Sequence, residues 1–168
     1  MNTINIVHLY PVEMNIYGDN GNLLILKKRL EWRGYKVKVT NVGLGDDIPT
    51  DTALIIGGGG QDSGQSKIAD DLQIKQDQLR ELSNNGVPML MICGLYQMFG
   101  HYFRTKEGLE IPGIGLLDVT TIAGDTRVIG NLQSQTEWGD IVGYENHSGL
   151  TYLGKEAVAF GKTLKLQG

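Results

Sequence analysis

A single cysteine, Cys93, closes the apolar run Pro88-Met89-Leu90-Met91-Ile92 and is followed at once by Gly94. After it, Leu95-Tyr96-Gln97-Met98-Phe99-Gly100 reads as the first turns of a helix. A strand, a nucleophilic side chain at a sharp bend and then a helix make the outline of a nucleophile elbow, which holds that side chain exposed above a sheet. Helix-start N–H groups face any negative charge forming beside it. The same N-terminus is expected to lower the thiol pKa, which matters because the thiolate is the attacking species. By residue type alone a lone cysteine is most often a small buried hydrophobe. Position argues otherwise, since Cys93 ends a strand-like run and open α/β sheets carry ligands at the carboxyl ends of their strands.

The second chemical feature is Gly57-Gly58-Gly59-Gly60, directly after the apolar run Ala53-Leu54-Ile55-Ile56. From Gly59 the chain nearly fits the phosphate loop G-x-x-x-x-G-K-[ST], after a buried strand and before a helix, as that motif requires. Gln65 stands where the lysine belongs, however, and Lys67 is out of register, so the cation that meets the β- and γ-phosphates is missing. A second reading is an oxyanion hole, because adjacent glycines let backbone N–H groups approach a nucleophile on the neighbouring strand. A plain turn is the third, since glycine runs mark turns first.

These features must be positioned by elements that the rest of the chain supplies. Ile4-Asn5-Ile6-Val7-His8-Leu9 reads as a first strand, and Asp19, Asn20 and Asn22 offer helix N-caps. Leu23, Leu26 and Leu30 then mark an amphipathic helix that Gly34 ends. Residues 35–40 alternate with period two and predict a half-exposed strand near a sheet edge. The run at 53–56 predicts a strand covered on both faces. A polar helix is predicted over about 65–84, with Ile68, Leu72, Leu79 and Leu82 inward, ended by Asn84-Asn85-Gly86. Strand, helix, strand in this order argues for a parallel sheet with right-handed crossovers. Beyond Phe103 the strand-like runs at 116–122, 127–132, 141–144 and 157–160 have no helix between them, which predicts an antiparallel meander.

Composition sets the outer bounds. The chain has 168 residues, 40% of them hydrophobic and 20% charged, with a net charge of −4. That is ample for a two-sided core in one domain, and it lacks the basic face of a nucleic-acid binder. The N-terminus has neither a basic region nor a long apolar stretch, and no apolar segment approaches spanning length, so no direct membrane insertion is expected. One cysteine excludes an internal disulfide and a cysteine-rich zinc site, which points to a reducing cytoplasm. No metal and no cofactor is expected.

Taken together, the motifs resemble a known family. Ile92-Cys93-Gly94-Leu95-Tyr96-Gln97-Met98-Phe99-Gly100 resembles the I-C-G-G-Y-Q-x-L-G segment of class I glutamine amidotransferase domains of the cobyric acid synthase type. Asn15-Ile16-Tyr17-Gly18-Asp19-Asn20-Gly21-Asn22, Ile56-Gly57-Gly58-Gly59 and Val142-Gly143-Tyr144-Glu145-Asn146-His147-Ser148-Gly149 are similar to segments of one branch, whose members supply ammonia for amidating lipid II. The resemblance covers nearly the whole chain in the family's order. It implies a three-layer, flavodoxin-like α/β fold, mostly parallel, with an antiparallel C-terminal extension.

The resemblance also implies roles. Cys93 would attack the side-chain amide of L-glutamine, pass through a γ-glutamyl thioester and release ammonia. Gly94 and either Gly58 or Gly59 would hold the oxyanion with their N–H groups. Gln97 would orient the glutamine, Arg127 would capture its α-carboxylate, and Asn146 and His147 would belong to the substrate pocket. The partner would be a Mur-ligase-like, ATP-using synthetase subunit that amidates D-glutamate of the lipid II stem peptide. The alternatives are the glutaminase domain of a cobyric or cobyrinic acid amidase, or a module that binds glutamine or nucleotide without catalysis. Leu95 departs from the family by replacing a glycine, adding bulk at a tight place. The family's catalytic histidine lies in a late H-G-P-type segment, and none of His8, His101 and His147 occupies that place. The chain is therefore expected to be incomplete at its C-terminus, or to bind without efficient turnover.

Overall fold

The protein is described here by a computed structural model covering residues 3–16 and 18–167, with side chains through Leu164. Tyr17 of the Asn15–Asn22 motif lies outside the described residues.

The first half of the chain builds a parallel sheet. Its strands are β1 (Thr3–Leu9), β2 (Lys36–Val42), β3 (Thr52–Gly57) and β4 (Met89–Met91), in the order β2-β1-β3-β4. That is the beginning of the flavodoxin-like 2-1-3-4-5 order, in which ligands sit beyond the carboxyl ends of the strands. Side-chain alternation distributes the strands between two cores. Ile6 and Ile56 pack with Leu23 of α1 (Asn20–Trp32) on one face. Val7, Leu9 and Ile55 face the opposite core, with Ile68 and Leu72 of α2 (Asp62–Ile74), Leu79 of α3 (Gln76–Asn84) and Leu95 and Met98 of α4 (Gly94–Phe99). Two helical layers around a sheet are the expected three-layer α/β arrangement, and β2 takes the expected edge. Gly34 closes α1 at φ +84, donating to Glu31 O at 2.9 Å while Tyr35 reaches back to Leu30 O at 3.2 Å, as a left-handed helix end does.

The single helix expected over 65–84 is two, α2 and α3, joined at Lys75. The backbone ladder carries through, since Lys75 N–H still meets Asp71 O at 3.1 Å and Leu79 N–H meets Lys75 O at 3.0 Å. Lys75 is buried, pairs with Asp71 and lies 5.8 Å from the centre of the Tyr10 ring, while the Tyr10 hydroxyl donates to the same carboxylate at 2.6 Å. This ion-paired core lysine was not legible in a helix that reads as polar on its outer face.

The second half forms a mixed sheet, β6-β5-β7-β8 with β9 against β7. Its strands are β5 (Tyr102–Arg104), β6 (Glu110–Pro112), β7 (Val119–Thr136), β8 (Gly139–Leu153) and β9 (Lys162–Gln167). The expected runs at 116–122 and 127–132 are one long strand, and the register jumps between Ala123↔Gly149 and Val128↔His147, so residues 124–127 bulge opposite Ser148. The strand expected at 157–160 is not one: Val158 and Phe160 are exposed there, and pairing resumes only at Lys162.

Leu95 fits because Gly57 has no side chain. Leu95 is fully buried, and a Cβ on Gly57 would collide with its Cδ1 and come within 3.0 Å of Met91 Sδ. Gly57→Ala is accordingly expected to destabilise the protein by about 1–3 kcal/mol through overpacking. Leu95→Ala in the same chain should return part of that loss, and equal urea midpoints for the wild type and Gly57→Ala would contradict the packing account.

Candidate active site

Four parallel strands deliver their carboxyl ends to one edge, where β3 opens into the tetraglycine corner and β4 into Cys93. Cys93 sits at φ 51, ψ −110, a conformation that costs a non-glycine residue on the order of 1–3 kcal/mol. Neighbouring carbonyls hold it there. Ile92 N–H donates to Gly57 O at 2.9 Å, Leu95 N–H lies 3.4 Å from Gly58 O, and Gln97 N–H donates to Cys93 O at 3.1 Å. The chain is thus clamped on both sides of the bend, and Cys93 is exposed.

Its thiol is not pre-activated, contrary to the expectation from the helix start. Burial of the sulfur's surroundings pushes its pKa up, the Gly94 N–H pulls it down, the Asp19 carboxylate pushes it up again and the Arg127 cation pulls it down. The net direction is upward. Desolvation, the largest of these effects, decides the direction.

Asp19 also alters the expected oxyanion donors. Its Oδ2 accepts the Gly59 N–H at 2.8 Å in a buried bond, so that donor is taken. Gly58 is pressed against the same residue, with the position of a Cβ only 2.6 Å from Asp19 Cγ. Gly60, not Gly58 or Gly59, lines the cavity beside Cys93. Its nitrogen lies 3.0 Å from where a Cβ on Gly94 would stand, so the two backbones meet because both residues lack side chains. The Gly94 N–H thus faces the Cys93 sulfur, and Gly60 borders the cavity beside it. Asp19 was missed as a fixed element because an acid just before a helix reads as an N-cap. It precedes α1 but makes no side-chain cap bond, spending its carboxylate on the glycine corner instead.

Cys93 opens into a cavity of about 670 Å³ that Gln97, Arg127, Asn146 and His147 also line. Arg127 comes from the β7 bulge and Asn146 from β8, and the two are joined by Arg127 Nε donating to Asn146 Oδ1 at 2.6 Å. A wide bulge re-aims side chains, and here it turns a guanidinium toward the nucleophile. With Nε engaged, the two terminal nitrogens form a fork suited to a carboxylate. His147 is engaged at both ring nitrogens, Nδ1 with Gly149 O at 3.0 Å and Nε2 with Glu145 Oε2 at 3.1 Å.

The other histidines lie elsewhere. His8 is buried in β1, where burial lowers its pKa against the opposing pull of Asp19. His101 pairs with Asp118 at 2.8 Å in a different surface depression. Among the described residues no group of His, Cys, Asp and Glu is arranged to hold a metal ion, and no helix is long and apolar enough to cross a membrane.

Gln65, the residue in the lysine position of the near-phosphate loop, lies in the wall of the Cys93 cavity with its amide tied to the protein. It is 1% exposed, and its Nε2 donates to Gly94 O at 3.1 Å and to Gln97 Oε1 at 2.8 Å. The signal was present in the pattern: Gln65, Ile68, Ala69 and Leu72 share the buried face of α2.

A parallel 2-1-3-4 sheet, a thiol at a strained strand-to-helix bend and a glycine corner beside it make up a nucleophile-elbow arrangement. The chain belongs to the CobB/CobQ-like glutamine amidotransferase domain family, which it matches over residues 5–168. It is 39% identical over 167 residues to the lipid II isoglutaminyl synthase (glutamine-hydrolyzing) subunit GatD of Streptococcus pneumoniae, covering 96% of this chain and 64% of that protein. To the subunit of the same name from Staphylococcus aureus it is 34% identical, over 90% of this chain and 63% of the relative. The chain therefore spans just under two thirds of the length of these relatives. A crystal structure of a glutamine amidotransferase shares the fold, with a TM-score of 0.56 at 15% identity over 89% of this chain and 75% of that one.

Proposed function

We propose that this chain binds L-glutamine in the cavity between Cys93 and Arg127 and cleaves its side-chain amide. The observation that carries the reading is the exposed Cys93 thiol sharing one cavity with a guanidinium fork at Arg127 and a side-chain amide at Gln97. Arg127 holds the α-carboxylate, which leaves the carboxamide to reach toward the thiol. The thiolate adds to the amide carbon, and the oxygen takes the negative charge beneath the Gly94 and Gly60 N–H groups. Each such donor is typically worth about 3–4 kcal/mol at the transition state. Collapse of this intermediate breaks the C–N bond, and nitrogen leaves as ammonia after gaining, by way of solvent water, the proton that the Cys93 thiol gave up. Water then cleaves the γ-glutamyl thioester to glutamate. In this reading His147, whose ring lies between Gly149 O and the Glu145 carboxylate, serves the pocket wall.

The ammonia goes, in this proposal, to a Mur-ligase-like, ATP-using synthetase subunit in the cytoplasm that amidates D-glutamate of the lipid II stem peptide. The names and the 34–39% identity of the two relatives support that finer reading.

Alkylation of Cys93 by iodoacetamide tests the site. Because the thiol pKa is raised, the rate should climb with pH to a half-maximum above the ordinary thiol value of about 8.5. Asp19→Asn removes the anion that favours the protonated form, so its profile should shift to lower pH. L-glutamine should slow alkylation of the wild type. No protection at saturating glutamine would overturn the proposal, and a profile centred at or below the ordinary thiol value would overturn the upward direction of the Cys93 pKa.

A further inference from the structure

We infer that Gln65 is a positioning residue that fixes the polarity of Gln97, so that the cavity presents an N–H donor, and not a carbonyl, to its ligand at that point. Gln65 has two Nε2 hydrogens and two acceptors within reach, Gly94 O at 3.1 Å and Gln97 Oε1 at 2.8 Å. Its side chain is 1% exposed, so water does not compete for either. Rotating the Gln65 amide by half a turn would aim its own oxygen at two other oxygens, a buried mismatch costing roughly 1–3 kcal/mol for each unsatisfied group. The amide therefore has one allowed orientation.

That constraint passes to Gln97. With Oε1 occupied by Gln65, its Nε2 is left on the cavity side, 3.0 Å from the point where a Cβ on Gly149 would stand. Gly149 lines the same cavity, and its lack of a side chain leaves room for that NH2 group. A donor there selects a ligand oxygen, either a carboxylate or a carbonyl, and rejects a ligand N–H. Resting on the glutamine reading above, the ligand oxygen is that of the bound amino acid. Gly94, whose carbonyl takes the other bond, is the residue after the nucleophile, so one buried amide ties α2 to both the elbow and the recognition side chain.

The test compares wild type, Gln65→Met and Gln65→Glu by the rate of Cys93 modification with an electrophilic L-glutamine analogue, fitted for half-saturating concentration and limiting rate. Iodoacetamide alkylation, which needs no glutamine recognition, serves as the control. In Gln65→Met, which keeps the volume but frees Gln97 to rotate, the half-saturating concentration should rise several-fold, well beyond any change in the iodoacetamide rate that follows from losing the bond to Gly94 O. In Gln65→Glu the carboxylate forces the Gln97 amide to turn its oxygen into the cavity. There the rise should reach on the order of 10- to 100-fold, the equivalent of losing a hydrogen bond to a charged group. Half-saturation at the wild-type concentration in Gln65→Met, or a parallel fall in both reagents' rates, would overturn the inference while leaving the glutamine reading intact. Failure of the analogue to modify wild-type Cys93 would overturn both.

Discussion

Replacing Cys93 with serine should reduce capture of a glutamine-analogue electrophile by at least about 10³-fold, the usual scale for losing a catalytic nucleophile. The comparison isolates the sulfur, because serine keeps the size and leaves the clamp at Gly57 and Gly58 untouched. A hydroxyl has no accessible anionic form near neutrality, whereas a thiol, even one with a raised pKa, supplies some thiolate. Folding is the control. Because φ 51 at position 93 is unfavourable for either side chain, the serine variant should unfold at the same denaturant concentration as the wild type. Modification of the serine variant at the wild-type rate would show that another residue reacts.

The second large effect belongs to Arg127. Arg127→Ala should weaken protection of Cys93 by L-glutamine about 10- to 100-fold, since a hydrogen bond to a charged group is worth about 1.5–3 kcal/mol. Arg127→Lys should recover only part of it, because an ammonium cannot reproduce a planar fork and loses the geometry that Asn146 imposes through Nε. The same substitutions carry a second signature. The Arg127 cation lowers the Cys93 pKa, so its removal should move the iodoacetamide profile further up in pH, opposite to Asp19→Asn. Lysine, which keeps the charge, should leave the profile closer to wild type than alanine does. A glutamine affinity unchanged in Arg127→Ala would remove the carboxylate contact from the account.

Much of this arrangement was legible from residue order. The runs at 4–9 and 53–56 and the one ending at Ile92 became β1, β3 and β4, and their parallel pairing placed the glycine corner beside the elbow. What stayed hidden depended on partners distant in sequence. Nothing local to Gly59 says that its N–H is taken, because the acceptor, Asp19, lies 40 residues earlier. The thiol's raised pKa has the same origin, since burial and Asp19 are tertiary facts and the helix start is a local one. The runs at 116–122 and 127–132 read as separate strands, yet the pairing of β7 with β8 resumes at Val128, making the residues between them a bulge in one strand. The burial of Lys75 likewise involves Tyr10, which shares Asp71 with the lysine from 61 residues away from that carboxylate. Gln65 was visible as a polar residue on an apolar helical face, but only the fold shows that Gly94 and Gln97 are its partners.

The most direct test of the central claim is peptide mapping of the wild-type chain after treatment with an electrophilic L-glutamine analogue, with and without excess L-glutamine. One adduct on the peptide carrying Cys93, suppressed by L-glutamine and not by asparagine, is the predicted result. An adduct on any other residue, or one on Cys93 that excess L-glutamine leaves undiminished, would contradict it.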